Sequence, residues 1–345
     1  MIKERNHFVP QYYLKKWSND NHTIWIYRTL VSHSKVKYWE NKSIKGNGYY
    51  SYLYACTSNG MASDEIEDWL NVHFENPAVN TFRKVTDENI NLRNIKLKKG
   101  EWQSLIKLCA AQLVRTPANF INSMEYYQRI FPKITKTALN KLIIKLKSDS
   151  SQSMLKGETE KTLRNLPIKV NLEKASRDNF TRITVNTKIG RAYWLSGIKY
   201  LLENTIKVLL NYNWRLLKVH EDIELFTSDN PAMCINYYEK NNYDFKGGWG
   251  NKNSEIIFPL SPKIILYTKV GESRKSHEEL SYTLSCEINK MIAEHAFREI
   301  YAKDKVYNIQ SVRKRIIDSE KFKQELDWWK SWHTNQGKIE NEYGL

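Results

Sequence analysis

The segment Glu255–Tyr267, with the sequence EIIFPLSPKIILY, predicts two β-strands that follow each other along the chain. Isoleucine, leucine, phenylalanine and tyrosine dominate both halves, and such apolar and aromatic runs are typical of strands. Ser261 and Pro262 separate the halves, and both residue types are common in turns. The segment therefore predicts neighbouring strands of a mostly antiparallel sheet.

Further strands and helices follow from the periodicity of the apolar residues on both sides of this segment. Strands are expected at 23–28, 36–39, 49–54, 213–219 and 223–227, with 36–39 pairing with 23–28 as a hairpin. Helices are expected after Ser63 up to Pro77, from Glu101 to Pro117, and at 133–147, 190–211, 281–302 and 309–335. The order of strands, helices, strands and helices predicts a helix-rich α+β fold, with a mostly antiparallel sheet built from N-terminal and C-terminal-half strands.

The predicted domain organisation has one main body and one extension. Residues 1–302 are expected to form a single α+β domain, with an insertion near 130–165 that consists of a basic helix and a serine-rich linker. Residues 303–345 are charged and rich in tryptophan, and they predict a C-terminal helical extension.

The composition favours a folded protein with a polyanionic partner. Hydrophobic residues make up 41% of the 345 residues, which excludes wholesale disorder. Lys and Arg number 54 against 38 Asp and Glu, giving a net charge of +16 and excluding an acidic solvating protein. The 21 tyrosines and 11 tryptophans add rings on which bases could stack. Nucleic acid is therefore the expected class of partner.

The cysteines and the apolar runs indicate the compartment. The four cysteines are scattered, with no CxxC pair, which is typical of free thiols in a reducing cytosol. The N-terminal residues contain no apolar stretch of a signal peptide, and the longest apolar runs are too short to span a bilayer. We expect a cytoplasmic protein with no membrane partner.

The N-terminal segment HFVPQYYLKKW, residues 7–17, supplies the first candidate site residues. His7 and Gln11 flank a proline that restricts the backbone. Histidine titrates near neutral pH and can act as a base, an acid or a metal ligand. The alternative is a structural histidine that docks the chain terminus.

The helix after Ser63 carries a group of acidic residues. At 100° per residue, Asp68 and Glu75 project within about 20° of each other, and Glu65 lies about 80° away. Carboxylates on one side of a helix could hold a divalent cation or take part in acid–base chemistry. The alternative is a solvated acidic face.

Gln112 and Arg115 lie near the end of the helix that begins near Glu101. Gln112 projects onto the same face as Leu105, and an amide buried there without a partner costs about 1–3 kcal/mol. Arg115 could bind a carboxylate or a phosphate with two parallel hydrogen bonds. The two residues predict either an internal polar network or anion site, or a structural hydrogen-bond bridge between helices.

The segment Thr227–Pro231, TSDNP, follows a predicted strand and contains Asp229. A strand end holds its side chains rigidly at the edge of a cleft. Asp229 is therefore a candidate metal ligand or a partner that orients His7. The alternative is a turn in which Asp229 and Ser228 only bind backbone amides.

Together these segments resemble the DUF4238 family of bacterial proteins. The family pattern has an HHxVPQFYLxxF-like opening, an acidic helix, a helix ending in Q-x-x-R-T/S-P, and a strand ending in T-S-D-N-P before an FPLSP-like strand. The corresponding segments are 6–17, the helix with Glu65 and Glu75, 112–117, 227–231 and 258–262, and the region around Asn289 resembles a late helix of the family. Asn6 stands where many members have a first histidine.

The resemblance spans residues 6–302 and implies a shared fold along that length. It also implies that five polar residues recur together and converge on one site. These residues are His7, Gln11, Gln112, Arg115 and Asp229.

Three functions are compatible with the sequence. The first is a nucleic-acid-processing enzyme, a metal-dependent phosphodiesterase or nuclease in a defence or toxin role. Asp229 with Glu65 or Glu75 would bind Mg²⁺ or Mn²⁺, His7 would act as general base or orient water, and Arg115 would stabilise phosphoryl charge. The second is a non-catalytic module that binds nucleic acid or a protein partner. The third is an enzyme for a small anionic substrate such as a nucleotide, with Arg115 as the anion clamp.

Overall fold

A computed structural model of the chain describes residues 3–19, 22–58, 61–88, 91–92, 94–147, 166–174, 181–273 and 278–345. Its helices and mostly antiparallel sheets confirm the predicted α+β fold. The predicted linker at 148–153 lies outside the described residues.

The largest sheet has six strands in the part of the chain that the structure describes. In order across the sheet they are Asn242–Asp244, Met233–Glu239, Ser254–Pro259, Ile264–Lys269, Arg215–Lys218 and Glu278–Glu279. Neighbouring strands are antiparallel except for the last pair, which is parallel. The segment Glu255–Tyr267 forms the two central strands, with Phe258 opposite Leu266, as the sequence predicts.

A second, antiparallel sheet joins the two ends of the chain. Its strands, in order, are Thr227–Ser228, Glu299–Ala302, Thr23–Arg28 and Glu40–Ser43. The smaller strand pairs among the described residues are Arg5–His7 with Tyr49–Ser51, Leu30–Val31 with Ile316–Ile317, Cys56–Ser58 with Met61–Ser63, and Ile168–Lys174 with Thr181–Thr187.

The predicted hairpin partner of Thr23–Arg28 is wrong, because the pairing strand is Glu40–Ser43 and not 36–39. Arg315 explains the difference. Its guanidinium donates to the carbonyls of Val36 and Lys37, both at 2.8 Å. These carbonyls are therefore bound by a side chain from the other end of the sequence, which no local pattern could predict.

The helices surround the sheets. The α-helices of the described residues are Gln11–Leu14, Glu65–Leu70, Val79–Val85, Lys99–Val114, Pro117–Lys147, Arg191–Tyr200, Ile206–Leu210, Tyr282–His295, Ile309–Val312 and Ser319–Glu342. Two π-helical turns, Asn71–Glu75 and Leu201–Thr205, continue the helices that precede them, and short 3₁₀ turns occur at Lys15–Trp17, Ile44–Gly46 and Asn76–Ala78.

Several predicted helices differ from the observed ones. The helix predicted at 309–335 is wrong in its first part, because Ile316–Ile317 pairs as a strand with Leu30–Val31 and the long helix begins only at Ser319. Pro117 begins a helix instead of only ending one, because the first turn of a helix needs no N–H donor from proline. The helix predicted at 281–302 ends at His295, and Glu299–Ala302 is a strand. The carboxylate of Asp229 binds the backbone amides of 297–299 and thereby holds the chain in a turn.

The six-stranded sheet separates two hydrophobic clusters. Ile256 and Phe258 face the cluster that contains most of the helices, whereas Ile257 faces a second cluster with Ile288 and Met291 of the helix Tyr282–His295. This alternation follows from the two-residue period of a strand, and both faces of the sheet are apolar because both are covered.

The last helix, predicted as part of an extension, packs into the main core. Trp332 is 1% exposed and belongs to the same buried cluster as Trp17 and Trp194. Arg191 binds the carboxylate of Glu340 through two hydrogen bonds, from Nε at 2.8 Å and from Nη2 at 2.6 Å. The last helix is therefore tied to the body by both apolar and ionic contacts.

Among the described residues, every helix is either too short or too polar to cross a lipid bilayer. Cys56, Cys109, Cys234 and Cys286 are free thiols.

Candidate functional site

The N-terminal segment is held against the strand that leads into TSDNP. Arg5–His7 pairs with Tyr49–Ser51, and the helical turn Gln11–Leu14 follows directly after Pro10. The Tyr13 hydroxyl lies 2.6 Å from the Thr227 hydroxyl. The Trp17 indole donates to the carbonyl of Leu225 at 2.8 Å. Two of the family segments are therefore in direct contact.

Arg115 is the centre of a buried group of polar contacts that we call the Arg115 network: Arg115, Gln112, Glu75 and the Phe8 carbonyl. The guanidinium is 1% exposed, and its Nε donates to the Phe8 carbonyl at 3.0 Å. Its Nη1 donates to Glu75 at 2.5 Å. With the amide oriented to suit its neighbours, Gln112 accepts from Arg115 Nη2 at 2.6 Å and donates to Phe8 at 3.1 Å.

These contacts match the structural alternative for Gln112 and Arg115. The guanidinium nitrogens bind a carbonyl, an amide oxygen and a carboxylate, so they link the N-terminal segment, the acidic helix and the Lys99–Val114 helix. Because the guanidinium is 1% exposed, a phosphate could reach Arg115 only after the residues around it had moved.

The acidic residues of the second segment point in different directions. Glu75 reaches inward to Arg115, whereas Asp68 forms a surface ion pair with Lys3 and Glu65 is exposed. The projection at 100° per residue, which puts Asp68 beside Glu75, is wrong because Glu75 ends a π-helical turn at Asn71–Glu75. A π turn has more residues per turn, so it rotates the side chains that follow.

His7 and Gln11 form a hydrogen-bonded pair beside the Arg115 network. The two Nε2 atoms are 3.1 Å apart, and since an amide nitrogen only donates, His7 Nε2 is the acceptor. Burial lowers the pKa of His7, while the Lys45 backbone and Glu75 raise it and Arg115 lowers it further. The net decrease favours the neutral imidazole, which is the form that can accept a proton.

Asp229 is buried at the end of the strand Thr227–Ser228. Its carboxylate accepts hydrogen bonds from the backbone amides of Phe297 at 2.8 Å, Arg298 at 2.6 Å and Glu299 at 3.0 Å. Burial raises the pKa of Asp229 to about 7, and the charge of Glu299 adds to the rise, while the three amides oppose it. The carboxylate binds backbone amides, as the alternative expects, but they belong to the distant turn at 297–299, and only Ser228 binds a local amide, that of Asn230 at 3.1 Å. These contacts also fix the Asp229 carboxyl group rigidly.

The neighbouring Asn230 connects TSDNP to the other segments. The Thr116 hydroxyl donates to Asn230 Oδ1 at 2.9 Å, which joins the end of the QLVRTP segment to the TSDNP turn. The structure thus brings His7, Gln11, Gln112 and Arg115 together. Asp229 is connected to them only indirectly, through the hydrogen bond between its neighbour Asn230 and Thr116.

The predicted metal ligands Glu65, Glu75 and Asp229 do not come together. In the described parts of the chain, no three His, Cys, Asp or Glu side chains form a group that could hold a metal ion. The reason is the set of contacts given above: Glu75 binds Arg115, Asp229 binds three amides, and Glu65 is exposed.

A cleft of about 600 Å³, which we call the aromatic cleft, lies between the strand Tyr49–Ser51 and the last helix. Tyr50 stacks on Trp329 with ring centroids 3.9 Å apart, and Tyr52 stacks on His333 at 4.6 Å. Trp329 and His333 are four residues apart and therefore share one face of the last helix, which presents both rings to the segment 50–52. Charged residues that also line the aromatic cleft include Asp229, Glu299, Arg298 and Lys330.

Sequence reasoning missed two polar residues, the buried Asn6 and the half-buried Glu67. Asn6 donates to the Glu67 carboxylate and accepts from the Tyr54 amide at 3.2 Å. The Tyr54 hydroxyl in turn donates to the Arg115 carbonyl at 2.7 Å. Burial raises the pKa of Glu67 to about 7. A signal was present, because Glu67 lies three residues before the buried Leu70 in the same α-helix and therefore projects towards its apolar side.

The fold and these contacts define a class: an α+β protein in which the N-terminal segment, the acidic helix and the QLVRTP segment meet at one buried arginine. A family model described as "Protein of unknown function (DUF4238)" matches residues 5–306. The chain therefore belongs to the DUF4238 family. Comparison with curated proteins gave no match, and comparison with solved structures gave none.

Proposed function

We propose that this protein acts on nucleic acid, which it binds through the exposed basic half of the helix Pro117–Lys147. From residue 126 to residue 147 the sequence has six Lys or Arg residues and no Asp or Glu. Six of the sixteen net positive charges of the chain therefore lie in these 22 residues. Such a concentration favours a polyanion-binding surface over an even compositional bias.

The two halves of this helix have different surroundings. In the first half, Phe120 is buried against Trp194, and Tyr127 packs on Tyr193 with centroids 5.6 Å apart. Beyond Pro132, the side chains of Lys133, Lys136 and Lys141 are exposed. The anchored half thus presents the basic half to solvent, where its charges can replace the counterions of a phosphate backbone.

The processing step is proposed for the aromatic cleft, and one observation favours it. Asp229 lines the cleft and its pKa is raised to about 7, so the carboxyl group can gain or lose a proton near neutral pH. The surrounding tyrosine and tryptophan rings offer surfaces for bases. Whether Mg²⁺ or Mn²⁺ is required is decided by the test, because no group of three metal-ligating side chains occurs among the described residues.

The lysines are tested with the triple variant Lys133→Gln, Lys136→Gln and Lys141→Gln. We expect its affinity for fluorescently labelled single- or double-stranded RNA or DNA to fall at least tenfold at low salt. The slope of log affinity against log salt concentration should become less negative by about 2–3, because each of the three lost phosphate contacts contributes about 0.7–0.9 to its magnitude. Fluorescence anisotropy across a salt series measures both.

The control removes the same charge from exposed lysines elsewhere, Lys240, Lys252 and Lys314. We expect this control triple variant to bind within threefold of the wild type. Equal losses in the two triple variants would show that only the net charge matters, and that result would contradict a binding surface on the helix.

The proposed processing step predicts cleavage that depends on Asp229. With Mg²⁺ or Mn²⁺, wild-type protein should cleave at least one of the four nucleic acids, and Asp229→Asn should lower the rate at least 100-fold through loss of acid–base chemistry. Binding should change less than threefold. The control is Asp222→Asn, which removes an exposed carboxylate.

Binding without cleavage, both with metal and with EDTA, would contradict the proposed enzyme activity and favour a non-catalytic binding module. Tight binding of a nucleotide alone would favour a small anionic substrate.

A further inference from the structure

A second cavity, of about 460 Å³, is lined in part by Asn230 of the TSDNP turn. It is bordered by Leu113 and Val114 at the end of their helix, by Thr205 in a π-helical turn, by Cys234, and by the loop 245–250. Its volume falls in the range of roughly 300–1,000 Å³ that is usual for small-molecule sites. We call it the loop cavity.

The lining of the loop cavity carries no Asp, Glu, Lys or Arg among the described residues. Its one titratable ring, His295, is half-buried, and desolvation lowers the pKa of His295 to about 4. His295 Nδ1 lies 3.1 Å from the Asn230 carbonyl, which can only accept, so Nδ1 carries the proton of the neutral ring. In a chain with a net charge of +16, an uncharged lining disfavours phosphates and other ionic ligands.

The uncharged lining combines flat rings with hydrogen-bonding groups. Phe245 packs on His295 with ring centroids 4.9 Å apart, and Trp249 lies in the same loop. Asn122 and Thr205 add an amide and a hydroxyl. Rings and uncharged polar groups in one cavity suit a planar ligand that both stacks and forms hydrogen bonds.

The loop that borders the cavity is held in close contact with the sheet. A Cβ on Gly247 would lie 2.7 Å from the backbone nitrogen of Ile235, so glycine is required for this approach. The Tyr212 hydroxyl donates to the Trp249 carbonyl at 2.7 Å and fixes the other side of the loop. Phe245 and Trp249 are thus positioned by backbone contacts.

We propose that the loop cavity binds an uncharged nucleobase, either in a free nucleoside or as an unstacked base of a strand. This inference goes beyond the proposed function, which depends on the basic helix and the aromatic cleft and on no residue of the loop. A nucleobase matches the cavity because it is flat, has no net charge and carries both donors and acceptors on its edges.

The test is calorimetric titration with adenosine, guanosine, cytidine and uridine, with ribose as a ligand lacking a base. At least one nucleoside should bind saturably at one site, and ribose should not bind. The affinity should change less than twofold between 0.05 and 0.5 M NaCl, because no ionic contact is involved. The triple lysine variant of the basic helix should bind the nucleoside as the wild type does.

The loop offers a matched pair of variants. Gly247→Ala should weaken nucleoside binding at least tenfold, since the added methyl group displaces the loop. Gly250→Ala should change it less than twofold, because a Cβ there meets nothing within 4 Å. Asn122→Ala, at an exposed position where folding is not at risk, should also weaken binding.

The two sources of the base give different outcomes in competition. If the base belongs to a strand, an RNA or DNA oligomer displaces the nucleoside and an abasic oligomer does not; if it is free, neither displaces it. Failure of all four nucleosides and of the oligomers to occupy the cavity would overturn the proposal. So would equal effects of Gly247→Ala and Gly250→Ala, or binding that falls steeply with salt.

Discussion

Glu340→Ala is expected to destabilise the protein by about 3–5 kcal/mol, because it leaves a buried arginine without its counter-charge. Arg191 is fully buried and Glu340 is 2% exposed, and two hydrogen bonds of 2.8 and 2.6 Å join them. The Arg191 guanidinium also lies 3.1 Å from His333 Nδ1, which cannot replace the lost negative charge. Urea unfolding followed by tryptophan fluorescence measures the effect.

The matched control is Glu342→Ala, two residues further along the same helix at an exposed position. It should change the free energy of unfolding by less than about 0.5 kcal/mol, as is usual for surface substitutions. The double variant Arg191→Met, Glu340→Leu should recover much of the loss, since it removes both charges. A loss in Glu340→Ala no larger than that of the control would show that the last helix is not held by this pair.

Arg115→Met is expected to have an effect of the same size, about 3–5 kcal/mol, for a related reason. The substitution leaves the Glu75 carboxylate and the Gln112 amide oxygen without their donor, whereas the Phe8 carbonyl still accepts from the Gln112 amide. A buried polar group that loses its partner costs about 1–3 kcal/mol, and two such groups are affected. Urea unfolding again provides the measurement.

Two further variants separate the geometry of Arg115 from its charge. Arg115→Lys keeps the charge but not the fork of donors, so it should recover only part of the stability. Arg83→Met, at an exposed position on a nearby helix, should be close to neutral. Wild-type stability in Arg115→Lys would contradict the network, because one ammonium group cannot reach all three acceptors.

The residues of the family pattern fall into two groups according to what their polar atoms contact. Gln112 and Arg115 bind protein groups on all sides and hold three segments together. His7 is half-buried with a neutral ring, and Asp229 lines the aromatic cleft. The acid–base step is therefore proposed at Asp229, in a cleft whose lining does not include His7, while Gln112 and Arg115 hold the segments in place.

Several elements were predictable because their determinants are local. The strands at Thr23–Arg28 and in the segment Glu255–Tyr267, and the antiparallel pairing around Ser261 and Pro262, follow from residue type and spacing. The helix starting near Glu101 follows from its apolar stripe. The concentration of positive charge at 126–147 is also visible in the sequence.

Residue type, spacing and charge were enough to predict the α+β fold class, the family and its characteristic segments, because these are properties of neighbouring residues. Three contacts became visible only in the folded chain: Glu75 with Arg115, Asp229 with the amides of 297–299, and Arg315 with the carbonyls of 36–38. Each of these contacts joins residues 40 to about 280 positions apart, and it forms only where packing brings both partners out of water together.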